Sequence, residues 1–391
     1  MTSRSAPTVL DPQLATQLSS AADRVESYLS RAHLRDGALE GPDPVGKIHW
    51  RITRFVRSHL PFLPGEDAYR YVQAQGHWLQ GLERRLGTGP AEQCDRRRAW
   101  MRSTADDLLA SQRPDGAWEH PPILGRKGRV STVEGSWGAL GLLAAFRALG
   151  DGRYLDGAER WFRFQCEQAG FLEVNDGLAA RYYSDSSHRI PNVTTMTVWV
   201  TGELFRETGR EEFLRDTPAL LEFLRTSQLE SGELPYALDR PHFMCFQYNA
   251  FEALDLLEFA RCGSGIDVTP VLVPLCEYLT GGVEGKGHCR YDCHRKWPEV
   301  HYWTAAIGAA LTEASVHGLV PAADLGRRAL RRALGAQRQD GGYPFSRRNY
   351  VVLQDRRSYP RQQAMIMNCF RLAAARWNPN AAVSENPLSG E

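Results

Sequence analysis

Long hydrophobic runs are missing from this chain of 391 residues. The longest apolar stretch, Ala139–Phe146, is interrupted by Gly141 and falls well short of the roughly 20 residues needed to span a bilayer. The first residues, MTSRSAPTVLDPQ, contain no apolar core of a signal peptide. We therefore expect a cytoplasmic protein without a transmembrane segment.

An excess of charge of either sign is also absent, because 47 Lys and Arg residues are balanced by 46 Asp and Glu residues. A near-neutral chain lacks the electrostatic basis for dedicated nucleic-acid binding, so we expect no nucleic-acid partner. Apolar residues make up 42% of the chain and charged residues 24%, which argues against a disordered protein.

A disulfide framework is not indicated either. The eight cysteines are dispersed through a chain that is large enough to build its own core, which fits a reducing compartment. They lie at positions 94, 166, 245, 262, 276, 289, 293 and 369. Alternation with period 2 over several strands is missing as well, so a β-rich fold is not expected.

Repeated turns are the main feature that the sequence does contain. Segments 109–121 (LASQRPDGAWEHP) and 334–346 (LGAQRQDGGYPFS) share a helix end, a glutamine, a polar turn with glycine and an aromatic residue. Weaker copies recur, mostly about 55–60 residues apart, and the turn glycines are Gly37, Gly116, Gly177, Gly232, Gly287 and Gly341. Glycine suits these positions because a chain leaving a helix often passes through positive φ.

A loop and a second, more apolar helix follow each turn. We predict these second helices at Tyr71–Leu86, Val133–Leu149, Val193–Thr208, Phe246–Arg261, His301–His317 and Arg361–Trp377. Amphipathic helices are predicted between the units, at Tyr154–Gln168, Glu211–Gln228 and Ala322–Gln337. Small apolar residues on several faces of the second helices are typical of helices buried between two layers.

The pattern predicts an all-α fold, a single (α/α)6 toroid in which six helical hairpins form an inner and an outer ring. An open solenoid is the alternative architecture, because repeats do not by themselves prove closure. We expect residues 11–377 to form the toroid, with 11–96 as a divergent first hairpin that either closes the ring or caps it. Residues 1–10 and 378–391 are expected to be disordered tails.

At its turns the sequence resembles the terpenoid cyclase and protein prenyltransferase α/α-toroid superfamily. The resemblance rests on segments 112–118 (QRPDGAW) and 337–343 (QRQDGGY), with support from 281–311. It implies a barrel in which the turns brace inner and outer helices around a central cavity. It does not imply a reaction, because the DxDD motif of class II cyclases, the DDxxD motif of class I enzymes and the prenyltransferase zinc spacing are all missing.

A polar layer is predicted near the start of the second helices. When these helices are aligned on their last turns, one early position holds Gln73, Ser136, Thr195, Asn249, Thr304 and, approximately, Gln363. One turn deeper the six residues are mostly apolar: His77, Leu140, Trp199, Ala253, Gly308 and Met367. A polar mouth above an apolar throat is typical of a small-molecule pocket, and we assign this layer, Trp199 and Arg361 to substrate binding. Helix capping is the alternative explanation for Ser, Thr and Asn.

Candidate catalytic residues surround this layer. Glu134 begins the second inner helix, where the helix dipole alone would also favour a carboxylate. Asp185 and His188 lie in the next loop and could exchange protons, although such a loop could equally be solvated surface. His301 and Tyr302 are placed at the mouth of the fifth inner helix.

A metal site is considered in segment 287–296 (GHCRYDCHRK), since zinc takes nitrogen and sulfur ligands. The adjacent pairs in this segment are poorly spaced for one ion, so we assign no metal ligand. Zinc and magnesium are retained only as minor alternatives.

The sequence hypothesis is an enzyme that works inside the ring on an anionic small molecule. Arginines recur in nearly every loop and would bind an anionic group, while aromatic residues would line a hydrocarbon. The first hypothesis is therefore a non-standard terpenoid-cyclase-like or prenyl-processing biosynthetic enzyme, of lyase or isomerase type. The alternatives are a saccharide-processing enzyme (uronate lyase, epimerase or glycosidase) and a non-catalytic scaffold.

Overall fold

Two rings of helices form the protein in a computed structural model. The structure describes residues 11–43, 56, 59–60, 62–63, 68–121, 128–239, 246–291, 296–347 and 357–377. The inner helices are α2 (Val72–Glu83), α4 (Thr132–Leu149), α6 (Pro191–Thr208), α8 (Phe246–Ala260), α10 (His301–Val316) and α12 (Pro360–Trp377). The outer helices are α1 (Pro12–Ala32), α3 (Ala91–Ser111), α5 (Gly152–Phe164), α7 (Thr217–Ser227), α9 (Thr269–Thr280) and α11 (Ala323–Leu334).

The inner ring is closed. Each inner helix packs against the next one along the chain, and α12 packs against α2. The outer helix α1 contacts both α11 and α12, so the start of the chain also packs against its end. The predicted all-α toroid is confirmed, and the open solenoid is not what forms.

The turn glycines explain how the hairpins join. Gly116 and Gly341 have φ values of +94° and +93°, a region that side chains with a Cβ rarely adopt. At all six turns an added Cβ would come within 3.0 Å of the next outer helix. The contacted residues are, in order, Ser103 on α3, Arg160 on α5, Phe223 on α7, Pro274 on α9, Arg328 on α11 and Arg24 on α1. The last of these contacts returns to the first helix, which repeats the closure of the inner ring.

Glutamines at the ends of three outer helices brace these turns. The side-chain amides of Gln112, Gln228 and Gln337 each donate to the carbonyl oxygen of the turn glycine and to a carbonyl of the following outer helix, at 2.7–2.9 Å. The final acceptor in the series, the Ala21 carbonyl, lies on α1. The glutamine shared by the two best-conforming repeats is therefore a structural clamp between neighbouring hairpins.

Short antiparallel ladders, which the sequence did not predict, occupy the loops. They pair β1 (Leu34–Arg35) with β2 (Ala38–Leu39), β3 (Phe171–Val174) with β4 (Gly177–Ala180), β5 (Val283–Glu284) with β6 (His288–Cys289), and β7 (Glu299–Val300) with β8 (Ser346–Arg347). Strands of two to four residues are too short to produce a readable alternation. Predicted and observed inner helices differ by at most three residues at either end.

Ion pairs seal the barrel at the C-terminal ends of the inner helices, and we call this end the floor. Every inner helix contributes, through Arg84 directly after α2, Arg147 on α4, Glu203 on α6, Glu258 on α8, Glu313 on α10 and Arg376 on α12. Arg84 Nη2 lies 2.7 Å from Glu258 Oε1, so this pair joins helices on opposite sides of the ring. The centre is therefore closed at this end.

The outer helices deviate further from the predictions. The segment predicted as Tyr154–Gln168 is α5 followed by a π-helical turn at Gln165–Ala169, and the segment predicted as Glu211–Gln228 is a short 3₁₀ helix at Glu211–Leu214 followed by α7. Among the described residues, no helix is both long and apolar enough to cross a bilayer. The predicted tails, 1–10 and 378–391, lie outside the described residues.

Candidate functional site

The opposite end of the barrel, which we call the mouth, is centred on Arg361 at the start of α12. The Nε and Nη2 atoms of Arg361 donate to the two carboxylate oxygens of Asp43 at 2.8 and 3.0 Å, and Nη1 donates to Gln73 Oε1 at 2.8 Å. The guanidinium also lies 5.2 Å from the ring centroid of Tyr71. The mouth therefore contains a charge pair that is neutral overall.

Glu134 lies beside this pair. Its Oε2 accepts a hydrogen bond of 2.9 Å from the backbone N–H of Gln73, and the residue is only 2% exposed. Burial raises the pKa of Glu134 to about 7, against the hydrogen bond from Gln73 and the charge of Arg361, which both lower it. A carboxyl group with this pKa is neutral below pH 7 and can act as a proton donor near neutral pH.

Tyr302, in the first turn of α10, completes the polar part of the mouth. It is partly exposed and lies within electrostatic reach of Arg361 and Asp43. Burial raises the pKa of its phenol to about 12, so the hydroxyl stays protonated at neutral pH and can donate a hydrogen bond. The structure thus brings four predicted residues together at one end of the barrel: Gln73, Glu134, Tyr302 and Arg361.

An aromatic column leads from the mouth towards the floor. The ring of His77 stacks on Trp137 with centroids 3.5 Å apart, and Trp137 meets Trp199 edge to face at 5.5 Å. Neither nitrogen of His77 has a hydrogen-bond partner among the described residues, and burial lowers the pKa of its imidazole well below the usual value. His77 is therefore a neutral, unpartnered imidazole. Trp199 donates to Glu203 Oε1 at 3.0 Å, which ties it to the floor.

Two residues of the predicted polar layer are engaged by the backbone instead. The amide of Asn249 both accepts from and donates to the backbone of Leu234 at 2.9 Å. Gln363 makes the same pair of bonds with Tyr343, at 2.8 and 2.9 Å. These amides therefore hold the turns after Gly232 and Gly341.

The remaining members of that layer lie between helices. Thr195 donates to Asp255 Oδ2 on the neighbouring helix α8 at 2.9 Å, and Thr304 donates to the carbonyl of Val300 at 3.2 Å. Ser136 is 1% exposed, and its hydroxyl has no partner among the described residues. Side-chain direction depends on helical phase, so residues at equivalent distances from the helix ends need not face the same way.

The other candidate acids and bases are dispersed. His301 is buried beside Tyr343, with ring centroids 6.4 Å apart, and burial lowers the pKa of its imidazole to about 4. Asp185 is largely exposed and pairs with Arg129 at 2.5 Å, in a rim loop. His188 also lies on the rim, where its Nδ1 is 2.8 Å from Asp239 Oδ2. The structure does not gather these three residues with Glu134.

The histidine–cysteine segment lies partly outside the described residues, which exclude Asp292, Cys293 and His294. Of the remainder, Cys289 is buried and burial raises the pKa of its thiol to about 12, while His288 packs edge to face on Trp297 at 4.8 Å. No group of three or more metal-ligating side chains occurs in the part of the chain that the structure describes.

Comparison with solved structures identifies many toroids of the same architecture. The chain is similar to a sugar epimerase from a ruminal bacterium (TM-score 0.69, 11% identity, covering 92% of this chain and 98% of that one). It is also similar to cellobiose 2-epimerase from Bacillus thermoamylovorans (TM-score 0.66, 12% identity, 91% and 99% covered). A third similar structure is the type II terpene cyclase MstE from Scytonema in complex with merosterolic acid A (TM-score 0.57, 14% identity, 93% and 99% covered).

These similarities establish the α/α-toroid fold that the sequence resemblance implied. No protein-family model matches the chain, and no curated protein matches it. At such low identity the similarities show the fold and leave the reaction open.

Sequence reasoning missed Asp43 and the role of Tyr71. Asp43 follows Gly41-Pro42 in the first hairpin and becomes a partner of Arg361 only because the ring closes, which joins positions 318 residues apart. His77 was visible as a polar residue in an otherwise apolar layer. That irregularity is the one local signal that could have marked it as part of the site.

Proposed function

We propose that this protein is a saccharide-processing enzyme that transfers protons to and from a neutral sugar bound at the mouth of the toroid. The observation that carries this proposal is Glu134, a buried carboxyl group with a pKa of about 7 on an inner helix. Its carboxyl group accepts a hydrogen bond from the backbone of Gln73, the charges of Arg361 and Asp43 act on it, and Tyr302 lies within electrostatic reach of the same Arg361 and Asp43. Hydroxyl-rich substrates are recognised by such convergent polar groups.

A neutral substrate fits the charges better than an anionic one. Three nitrogens of Arg361 are engaged by Asp43 and Gln73, and the Asp43 carboxylate cancels the positive charge. Below pH 7 Glu134 adds no charge. A carboxylate or diphosphate beside Arg361 would therefore meet a guanidinium whose charge Asp43 already cancels, and this argues against the anionic substrate that the arginine-rich loops suggested.

Two neutral groups can share the proton transfer. Glu134 can donate a proton, and the imidazole of His77, which stays unprotonated because burial lowers its pKa, keeps a lone pair that can accept one during the reaction. Glu134 accepts a hydrogen bond from the backbone of Gln73, and Gln73 lies one helical turn before His77 on α2. The ring of His77 in turn packs against Trp137, which lies three residues after Glu134 on α4. The two residues thus flank the same contact between α2 and α4. A base that removes a proton from a sugar carbon and an acid that returns a proton to that carbon suit an epimerisation; an acid that instead protonates the oxygen of a departing group suits an elimination.

Hydrolysis by a pair of carboxyl groups is less well supported. A glycosidase needs a second carboxylate across the substrate, as nucleophile or as base. The second carboxylate of the described mouth is Asp43, and both of its oxygens accept from Arg361.

An isoprenoid cyclase is the second candidate, because the column of His77, Trp137 and Trp199 offers aromatic faces to a cation and Glu134 could protonate an alkene. The polar mouth and the Arg84–Glu258 pair across the floor shorten the apolar part of the barrel, which weakens this candidate.

Hydrogen exchange from solvent tests the proposal without knowledge of the product. The protein is incubated in D₂O with glucose, mannose, galactose, their disaccharides, galacturonic acid and geranylgeranyl diphosphate, and loss of carbon-bound hydrogen is followed by NMR. We expect exchange with a neutral sugar that slows as pH rises through about 7, because Glu134 then loses its proton. The Glu134→Gln variant should lower the rate by about 10²–10⁴-fold.

The matched control is Glu119→Gln, the same change at an exposed carboxylate whose side chain is 53% accessible, and it should leave the rate unchanged. Equal rates in wild type and Glu134→Gln would overturn the acid role. Turnover of the diphosphate alone would favour the cyclase candidate, and no turnover of any probe would favour the scaffold.

A further inference from the structure

A pocket of about 180 Å³ lies on the rim, between the loops that precede α6 and α8. Its walls include the rings of Tyr182, Tyr183 and Tyr236, and Ile190 contributes an apolar side chain. His188 and Asp239 supply polar groups. None of the roles assigned above to the mouth residues uses this pocket.

The pocket adjoins the mouth. Tyr236 packs on Tyr248, in the first turn of the inner helix α8, with ring centroids 4.9 Å apart. Tyr182 and Tyr236 also pack in one apolar cluster with Val133, the residue before Glu134. A molecule bound at the mouth could therefore extend along these contacts into the rim pocket.

The histidine of the pocket is held in one orientation. His188 Nδ1 lies 2.8 Å from Asp239 Oδ2, which favours the tautomer that donates from Nδ1 to the carboxylate. The Nε2 atom then carries a lone pair and can accept a hydrogen bond from a hydroxyl group. Aromatic faces beside one oriented acceptor suit a sugar ring, which has apolar C–H faces and hydroxyl edges.

We propose that the rim pocket is a second saccharide subsite, which binds the sugar unit next to the one at the mouth. The substrate is then an oligosaccharide rather than a monosaccharide. This inference rests on the proposed function, since it extends the same substrate outwards. It also gives His188 a binding role in place of the catalytic role that its sequence context suggested.

Calorimetric binding to glucose, cellobiose and cellotriose, and to mannose, mannobiose and mannotriose, tests the inference. In the series that binds, the wild-type disaccharide should bind about tenfold more tightly than the monosaccharide. His188→Ala should reduce disaccharide affinity about five- to tenfold, the effect of one lost hydrogen bond, and leave monosaccharide affinity unchanged. Tyr236→Ser should act in the same way, whereas Tyr236→Phe, which keeps the ring, should bind like the wild type.

Two outcomes separate failure of the subsite from failure of the function. If mono- and disaccharides bind equally to the wild type, or if His188→Ala weakens both alike, the subsite is overturned while the saccharide function stands. If the wild type binds no sugar of either series, the proposed function falls and this inference falls with it.

Discussion

The two ends of the inner barrel hold buried carboxyl groups whose pKa values move in opposite directions. At the floor, burial alone would raise the pKa of Glu258, but the charges of Arg84 and Arg261 outweigh it and lower the pKa to about 2. At the mouth, burial prevails and raises the pKa of Glu134 to about 7. Both residues lie on inner helices and are less than 10% exposed, so depth does not explain the difference.

The number of cations around each group explains it. Glu258 accepts a hydrogen bond of 2.7 Å from Arg84 and lies 3.0 Å from Arg261. Glu134 accepts backbone hydrogen bonds, and Arg361, the cation near it, is already paired with Asp43. At the floor, the ionised carboxylate of Glu258 is held by two arginines and stabilises the structure. At the mouth, the neutral carboxyl of Glu134 has no such ion pair and can change its protonation during a reaction.

The largest expected effect comes from removing the floor carboxylate. Glu258→Gln leaves Arg84 and Arg261 without their shared partner in a buried network, and such losses cost about 3–5 kcal/mol. Urea unfolding at pH 4.5 measures this loss. The same substitution at the mouth, Glu134→Gln, is the control and should change the free energy of unfolding little at that pH, because protonating the carboxyl on folding then costs almost nothing. Equal losses in the two variants would remove the distinction between the two ends.

The pH dependence of stability should show a smaller effect of the mouth carboxyl. The pKa of Glu134 is raised on folding from 4.5 to about 7, so its contribution to stability is fully present below pH 4.5 and is lost as pH rises through 7. A shift of this size corresponds to about 3 kcal/mol. The free energy of unfolding of the wild type, measured relative to Glu134→Gln, should therefore fall by about that amount between pH 4.5 and 8.

The difference in the free energy of unfolding between the wild type and Glu134→Gln reports the titration of Glu134 alone. Burial also raises the pKa values of Glu252 and Asp255 on α8, but these residues are present in both proteins and cancel in the comparison. A difference that stays flat with pH would show that Glu134 is ionised in the folded state, and it could then not act as the acid.

Substrate charge preference should respond to Asp43. The Asp43→Asn variant leaves the charge of Arg361 uncompensated at the mouth. We expect affinity for galacturonic acid to rise about tenfold relative to galactose, which corresponds to 1.4 kcal/mol. Competitive calorimetry with the two sugars measures the ratio. An unchanged ratio would mean that Arg361 does not contact the substrate.

Much of the fold could be predicted from sequence because its determinants are local. Gly116 and Gly341 recur with the same neighbours, since each must pass closely by the next outer helix in positive φ. Gln112 and Gln337 recur because each clamps one hairpin to the next. Because each hairpin makes the same contacts with the next one, the same residues recur at each turn. Six such repeats predicted the ring.

The site could be predicted only in part, because its determinants are not local. Glu134 and Arg361 were recognisable as polar residues near helix starts, but their partner Asp43 comes from the other end of the chain. Asn249 fitted the polar layer by position, yet its amide faces a turn of its own hairpin. Whether a polar side chain faces a substrate or the backbone depends on how its helix is rotated within the ring, which a single sequence does not record.

The smallest effect on stability is expected for a substitution on the rim, at Asp185, which belongs to neither the floor nor the mouth. Asp185 is 72% exposed and pairs with Arg129 in a loop, so water screens the interaction and the pair contributes little to stability. Asp185→Asn should change the free energy of unfolding by less than about 0.5 kcal/mol and leave the exchange rate of the sugar unchanged. Chemical denaturation and NMR exchange measure the two quantities on the same sample. A large loss of exchange with unchanged stability would restore Asp185 as a catalytic group, and the reaction would then belong to the rim rather than to the mouth.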